Sequence, residues 1–315
     1  MLIVRDNGNA PCLDYGQAFS HTIRRDRSVL TVSVIIPAYN SAATIRRAID
    51  SAIAQDLSDA EILVIDDGST DATRDVLDSY ERKIRIIERP NGGQSAACNT
   101  GIAEARGKYV AFLDADDYWL PGRLRMTVEA LDNSGAGLAL CDYLIVDRED
   151  GRVLGVARPG RAPTREDIFD SWPQMARASV TMRTELAREC GGFPEGIGWG
   201  EDVIFWIAAI HRKPFTYVPS VLAAYCTTDR LSERKYTIDQ RRPFERELIA
   251  RYGRKARKLV NIARDQYASL LLASALADLK HASKLRGIRD LAALLRYRPS
   301  YFVAAAWKKL TSTRG

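Results

Sequence analysis

Between Val32 and Asp117 the chain switches four times between a short, almost uniformly apolar run and a stretch of helical character. The apolar runs are "VSVIIPAYN" (32–40), "EILVIDD" (61–67), "IRIIE" (84–88) and "YVAFLDADD" (109–117). Runs of this kind, rich in Val and Ile and without polar alternation, suit strands buried on both faces. In the first intervening stretch, Ile45, Ala48, Ile49, Ala52 and Ile53 recur at the spacing of one helical face. Asp71 is placed to cap a second helix that runs to about Tyr80, and Pro121 suits the first turn of the helix after the fourth strand. Repeated strand and helix in so short a span predict βαβ units: an α/β fold with a mostly parallel central sheet and helices on both faces.

Each of these strands ends in polar, turn-forming residues: Pro37–Asn40, Asp66–Asp67, Asn91–Gln94 after the third, and Asp114–Asp117. Open parallel sheets bind ligands outside the carboxyl ends of their strands, so these four groups would line one crevice. The Asp114, Asp116, Asp117 cluster is the strongest signal. Like charges this close repel, and burial adds a penalty, so a positive partner is expected. Hard divalent cations such as Mg²⁺ or Mn²⁺ take carboxylate oxygens together with substrate phosphates. The plainer alternative is a solvated acidic turn.

The other motifs admit two explanations each. Asp66 and Asp67 could accept hydrogen bonds from a base or ribose, or form an Asx-turn. Asn91, Gly92 and Gln94 open "NGGQSAACNTG" (91–101), which could cradle phosphate on backbone N–H groups or simply cap a helix. In "GWGEDVIFW" (198–206), Glu201 and Asp202 start an apolar helix. They could favour the helix dipole or supply a general base. Trp199 could stack on a sugar ring or pack internally.

After Gly137 the alternation fades. "GLALCDYLIV", "RVLGVA", "VTMR" and "FTYVPSVLAAYC" predict antiparallel strands, with helices at 164–171 and 201–212 between them. The pattern is helical beyond Tyr236. Five cysteines without a CxxC pair (Cys12, Cys98, Cys141, Cys190, Cys226) and three scattered histidines argue against a disulfide framework or a zinc site. The N-terminus meets charge too early for a signal peptide, and "YASLLLASALA" (267–277) is too short to span a bilayer. A cytoplasmic location is the expectation. Residues 251–315 hold 15 Lys and Arg against 3 Asp and Glu, a net +12 that leaves −6 on residues 1–250. In "RYRPSYFVAAAWKKL" (296–310), Phe302, Val303, Ala306, Trp307 and Leu310 share one helical face flanked by cations. That pattern fits docking on an anionic membrane surface at the inner face of the cell membrane, or a packing or homo-oligomer contact.

Taken together, "VSVIIPAYN", "EILVIDDGSTD", "NGGQSAACNTG", "KYVAFLDADD" and "GGFPEGIGWGED" resemble, in order and spacing, the family 2 glycosyltransferases of GT-A fold, over about 32–235. The resemblance implies an inverting, metal-dependent enzyme. It would move a sugar from a nucleotide-sugar donor, UDP-linked above all, to a hydroxyl of a glycan or lipid-linked acceptor in polysaccharide or glycolipid synthesis. Tyr39, Asn40 and Asp67 match nucleoside contacts, with Pro37 and Ala38 lining the same pocket. Asp114 and Asp116 match the metal-binding DxD, Asp116 as the direct ligand, and Asp202 matches the catalytic base. Mn²⁺ or Mg²⁺ is the implied cofactor, and no nucleic-acid partner is expected. The implied layout is an N-terminal extension (1–30), a catalytic domain (31–236) with nucleotide-binding (31–136) and acceptor (137–236) halves, and a basic helical C-terminal region (237–315). Trp199 and Glu201 would face the acceptor sugar.

The sequence departs from the family pattern in places. Cys98 stands where an Arg is usual, which leaves a cation near the nucleotide missing or supplied from elsewhere, with Arg89 as a candidate. Thr228 stands near the place of a usual His, with Asp229 or Arg230 as substitutes. No QxxRW follows, which argues against processive polymer synthesis. Two other classes compete: an aspartate-nucleophile phosphatase, whose DxD would normally follow the first strand, and a non-catalytic nucleotide-sugar or carbohydrate-binding module.

Overall fold

The computed structural model describes residues 30–298 except 56, 81, 159, 162–163, 165–174, 199, 228–237 and 278–283. Trp199, Thr228, Asp229, Arg230, nearly all of the N-terminal extension, most of the helix expected at 164–171 and the 299–310 segment therefore lie outside the described residues.

The four expected strands form: β1 (Val32–Ala38), β2 (Ala60–Asp66), β3 (Arg85–Glu88) and β4 (Tyr109–Phe112). β1 pairs in parallel with both β2 and β4, and β2 with β3. Between them run α1 (Ile45–Ile53), α2 (Thr73–Asp78) and α3 (Gln94–Glu104). β5 (Tyr118–Trp119), α4 (Arg123–Ser134), β6 (Leu138–Asp147), β7 (Val153–Ala157), a 3-10 turn at Arg177–Ser179, β8 (Val180–Arg183), α5 (Thr184–Glu189), α6 (Glu201–Ile210) and β9 (Phe215–Thr227) follow. Among the described residues the strands make one nine-stranded sheet in the order β3-β2-β1-β4-β8-β6-β9-β5, with β7 on β6.

Two sequence expectations need correction. β6 is antiparallel to β7 and β8 as expected, but it runs parallel to β9 along its whole length, from Leu138 beside Phe215 to Asp147 beside Thr227. The reversal that made β9 look like another antiparallel neighbour is taken up by β8 and the helices before it. Pro121 also precedes its helix: α4 starts at Arg123, and Gly122 in a left-handed conformation (φ 80°) makes the turn into it.

Alternate strand residues point to opposite faces of the sheet, which builds two cores. Ile35, Leu63, Ile65, Val110 and Phe112 face α3, α6 and the C-terminal helices. Val34, Ile36, Val64, Ala111 and Leu113 face α1, α2 and α4. α1 buries Ile45, Ala48, Ile49 and Ala52, whereas Ile53, its last residue, is exposed. The C-terminal part is helical: α7 (Ile238–Tyr252), α8 (Arg257–Ala277) and α9 (Lys284–Tyr297). Phe244 and Leu248 of α7 and Leu259, Val260 and Ala263 of α8 enter the same core as Phe205 and Trp206 of α6. No helix among the described residues is long and apolar enough to cross a membrane.

Candidate active site

The polar strand ends converge. A crevice of about 510 Å³ at the carboxyl ends of β1, β2 and β4 is lined by Pro37, Ala38, Tyr39, Asn40, Asp67, Asn91, Gln94, Asp114 and Asp116, with Arg148 across from them. Asn40 makes the turn out of β1 with a positive φ of 48°, a conformation Asn tolerates better than other side chains with a Cβ. Its Oδ1 accepts from the backbone N–H of Thr70 at 2.8 Å, which fastens the β1 end to the loop after β2. Tyr39, half exposed in the crevice, offers a flat ring there.

Asp67 is engaged differently from either sequence expectation. Its carboxylate accepts from Arg89 Nη1 at 2.7 Å, from the Gly92 N–H at 3.1 Å and from the Gly93 N–H at 2.7 Å. The two glycine amides offered as a phosphate cradle are thus taken by Asp67, and Gly92 is not part of the crevice wall. Arg89, the candidate replacement for the cation lacking at Cys98, is the partner of Asp67. Asp71 does not stand at the N-cap, which is Ala72; one residue earlier, its Oδ1 accepts from the Thr73 N–H at 2.9 Å in an Asx-type turn that leads into α2.

The acidic cluster is compact. Asp114, Asp116 and Asp117 can bring one oxygen each within 4.8 Å of one another. Asp114 is held by Arg177, whose Nε lies 3.0 Å from Oδ1 and whose Nη2 lies 3.0 Å from Oδ2, and by Gln94 Nε2 at 3.0 Å. Asp116 pairs with Arg148. Asp117 is buried; its Oδ1 accepts from the Cys226 N–H at 2.8 Å, while Oδ2 has no hydrogen-bond partner among the described residues. Burial, then the Asp114 charge, pushes the Asp116 carboxyl above the usual range. The same two causes, with Asp116 added, push Asp117 well above it. Three carboxylates, one of them with an orphaned buried oxygen, are a donor set that suits a divalent cation.

Across the sheet end, Gly200 (φ 79°) turns the chain into α6. A side chain at that position would strike the Phe244 ring, its Cβ only 2.7 Å away, so α7 seats the start of α6 directly. Glu201 is buried, and its Oε1 accepts from Arg177 Nη1 at 2.8 Å. Among the described residues Asp202 makes no ion pair; it accepts from the Val203 N–H at 2.8 Å. Desolvation, reinforced by the Glu201 charge and opposed by Arg177, pushes the Asp202 carboxyl up to about 7.

Arg177 is the central residue that sequence reasoning missed. Burial works against its charge, but Asp114 and Glu201 outweigh that and hold its pKa above the ordinary guanidinium value. Burial pushes the Cys98 thiol up to about 12, and the Arg177 charge opposes that shift, so position 98 lies within the electrostatic reach of this guanidinium. The 3-10 turn that carries Arg177 is itself anchored. The Ala178 carbonyl accepts from Trp119 Nε1 at 2.9 Å and from Arg123 Nη2 at 3.0 Å, and the Arg123 guanidinium lies 4.2 Å from the Trp119 ring centre.

This arrangement agrees with the family relationship. Residues 33–181 match the family model described as Glycosyl transferase family 2. Those residues form a glycosyl transferase family 2 domain. An uncharacterized glycosyltransferase of Nostoc sp. is 44% identical over 202 residues, covering 63% of this chain and 59% of that protein. The succinoglycan biosynthesis protein ExoO of Rhizobium meliloti is 34% identical over 195 residues, covering 57% of this chain and 55% of that protein. The chain thus matches little more than half the length of these curated relatives. Among solved structures, residues 1–349 of S. aureus TarS in complex with UDP-GlcNAc align with a TM-score of 0.61 at 20% identity, covering 88% of this chain and 92% of that one. The mannosyltransferase PcManGT from Pyrobaculum calidifontis, in complex with GDP-Man and Mn²⁺, aligns with a TM-score of 0.53 at 20% identity, covering 90% and 88%. The described residues share the GT-A architecture of these structures, with a central sheet, flanking helices and a helical C-terminal part.

Proposed function

We propose that the protein is an inverting glycosyltransferase that uses a divalent cation and a nucleotide-sugar donor to glycosylate a hydroxyl acceptor in polysaccharide or glycolipid synthesis. The observation that carries this reading is the pairing of a carboxylate cluster at the β4 end with a desolvated carboxyl, Asp202, at the start of α6, both reached by Arg177 or its charge. Tyr39, with its half-exposed ring, would stack on the nucleobase, and Pro37, Ala38, Asn40 and Asn91 would line the nucleoside pocket. Asp67 would act by holding the Asn91–Gln94 loop in place. Asp116 and Asp114 would hold Mn²⁺ or Mg²⁺, with Asp116 the direct ligand because both oxygens of Asp114 already accept from Arg177. A cation bound there neutralises charge on the leaving diphosphate.

Asp202 would take the proton from the acceptor hydroxyl as that oxygen attacks. With its pKa raised toward the working pH, it is basic enough to accept the proton and still ionised in part. A single displacement assisted by one base inverts the anomeric centre. Glu201, tied to Arg177, is the weaker candidate for the base and fits a role in shaping the acceptor side. The rival nucleophile chemistry would need Asp114 free to attack; Arg177 and Gln94 occupy both its oxygens.

UDP is the nucleotide we favour, supported by the UDP-GlcNAc complex of TarS. The test is calorimetric titration of UDP and GDP with Mn²⁺ and with EDTA, followed by a panel of their sugars in transfer assays. Tight UDP binding that requires metal and is lost in Asp116→Asn is expected; equal affinity with and without metal would refute the reading.

We further propose that residues 31–236 form the catalytic domain and that 237–315, whose described residues are helical, lie peripheral to the cytoplasmic face of the membrane. On α9, Ile288 and Leu295 are exposed one heptad apart, beside the exposed Arg289 and Arg296. A lipid-linked acceptor would make such docking useful. The full chain should sediment with anionic but not neutral vesicles, and Ile288→Asp/Leu295→Asp should abolish this. A change in oligomeric state in that variant, with vesicle binding intact, would reassign the face to a contact between copies.

A further inference from the structure

The three acids at the β4 end do not carry their charge unopposed, and the ways in which they are opposed differ. Arg177 and Asp114 are buried side by side, with 13% and 12% of their side chains exposed, and the contact is bidentate. Arg148 and Asp116 are paired at the crevice surface, with 47% and 32% exposed, through a single guanidinium nitrogen. A buried bidentate pair resists separation, whereas an exposed single-contact pair is weak and easily exchanged. Of the two guanidinium-paired acids, an incoming cation would therefore take Asp116 more readily than Asp114, and the guanidinium it must displace there is Arg148.

The displaced arginine has somewhere to go. Arg148 sits in the turn after β6, fixed by its own backbone N–H donating to the Thr227 carbonyl at 2.7 Å, so the side chain pivots from a firm base. Among the described residues, its Nη2 otherwise touches the Cys226 carbonyl, at 3.3 Å. It lines the same crevice as Tyr39, Asn40 and Asp116. A guanidinium released there faces the space where a diphosphate would lie, and its fork of donors matches phosphate oxygens.

We propose that Arg148 is an exchangeable counter-cation: it holds Asp116 in the empty site, competes with the divalent ion for that carboxylate, and moves to the donor diphosphate once the ion is bound. This rests on the reading of the crevice as a metal and nucleotide-diphosphate site. No bond is made or broken; one ion pair is exchanged for another.

The two halves of the exchange push affinities in opposite directions, which makes the test specific. In Arg148→Gln, free Mn²⁺ should bind the nucleotide-free protein about two- to fivefold more tightly, the range of an exposed ion pair, as read from the electron spin resonance signal of free Mn²⁺. The same variant should bind UDP at saturating Mn²⁺ at least about tenfold more weakly by calorimetry, as expected for losing a hydrogen bond to a charged group. Arg148→Lys should restore part of both. Unchanged or weaker Mn²⁺ binding in Arg148→Gln, or unchanged or tighter UDP binding, would overturn the proposal. Wild-type UDP affinity that ignores Mn²⁺ would instead refute the underlying site reading, and this inference with it. Matching thermal unfolding of the variants and wild type verifies that the comparison concerns the site.

Discussion

Arg177 donates to both carboxylate oxygens of Asp114, Nε to Oδ1 and Nη2 to Oδ2, each at 3.0 Å, and the remaining arm reaches Glu201 at 2.8 Å. One buried cation thus ties the β4 end to the start of α6. Removing it leaves two acids buried without a counter-charge, a defect that typically costs about 3–5 kcal/mol. Arg177→Met should lower the urea unfolding free energy by roughly that amount. Adding Asp114→Asn should recover part of the loss, because the uncompensated charge goes with it. Strictly additive losses in the double variant would show that the two residues are not coupled.

Gly101 in α3 is a second point where stability depends on one contact. A Cβ there would fall 2.4 Å from Ile35 Cγ2, in the middle of β1. Alanine favours a helix over glycine by up to about 1 kcal/mol, but forcing atoms into a packed core costs about 1–3 kcal/mol. The steric cost should win. Gly101→Ala is expected to lower the thermal midpoint, and Ile35→Ala in the same chain should relieve part of that strain. A raised midpoint in Gly101→Ala would mean that α3 can shift away from β1 at little cost.

The parallel half of the fold was legible because each of its strands is a short apolar run closed by polar residues, which is also how the crevice could be located. Asp114, Asp116 and the Glu201–Asp202 pair stood out for the same reason: charge placed directly against apolar sequence. Arg177 did not stand out. It lies 63 residues from Asp114 in a stretch with no period or motif, and only the packing of the 3-10 turn against Trp119 and Arg123 brings it to the site. The β6–β9 pairing was hidden in a similar way. Strand direction follows from the path of intervening elements, not from the residues of the strands themselves. Asp67 lines the crevice, but its bonds to the Gly92 and Gly93 amides were not foreseen, because such partners leave no trace in residue spacing.

If Asp202 is the base, its substitution should separate binding from chemistry. A group that acts on the acceptor proton contributes in the transition state and little to donor affinity. Asp202→Asn should bind UDP with Mn²⁺ nearly as the wild type does and lose at least about two orders of magnitude in transfer rate. Glu201→Gln should weaken Arg177's hold and lower stability while retaining more of the rate. Transfer at the wild-type rate by Asp202→Asn would remove it from the mechanism.

The raised pKa of Asp202 gives two pH dependences of known sign. The base works ionised, so kcat/KM should rise with pH and level off above about 7, where burial and the Glu201 charge have moved its carboxyl. Stability should move the other way. Between its unfolded value of about 3.9 and about 7, the folded protein holds a proton on Asp202 that the unfolded chain has released. Folding is therefore favoured at the acidic end of that window and loses this contribution as pH climbs through it. Asp202→Asn carries no such proton. Relative to wild type it should gain stability as pH is raised from 5 to 8, measured by urea denaturation at each pH, and its residual activity should lose the limb near 7. A stability difference between the two proteins that stays constant across that range would show that Asp202 is ionised throughout and would remove the basis for its tuned basicity.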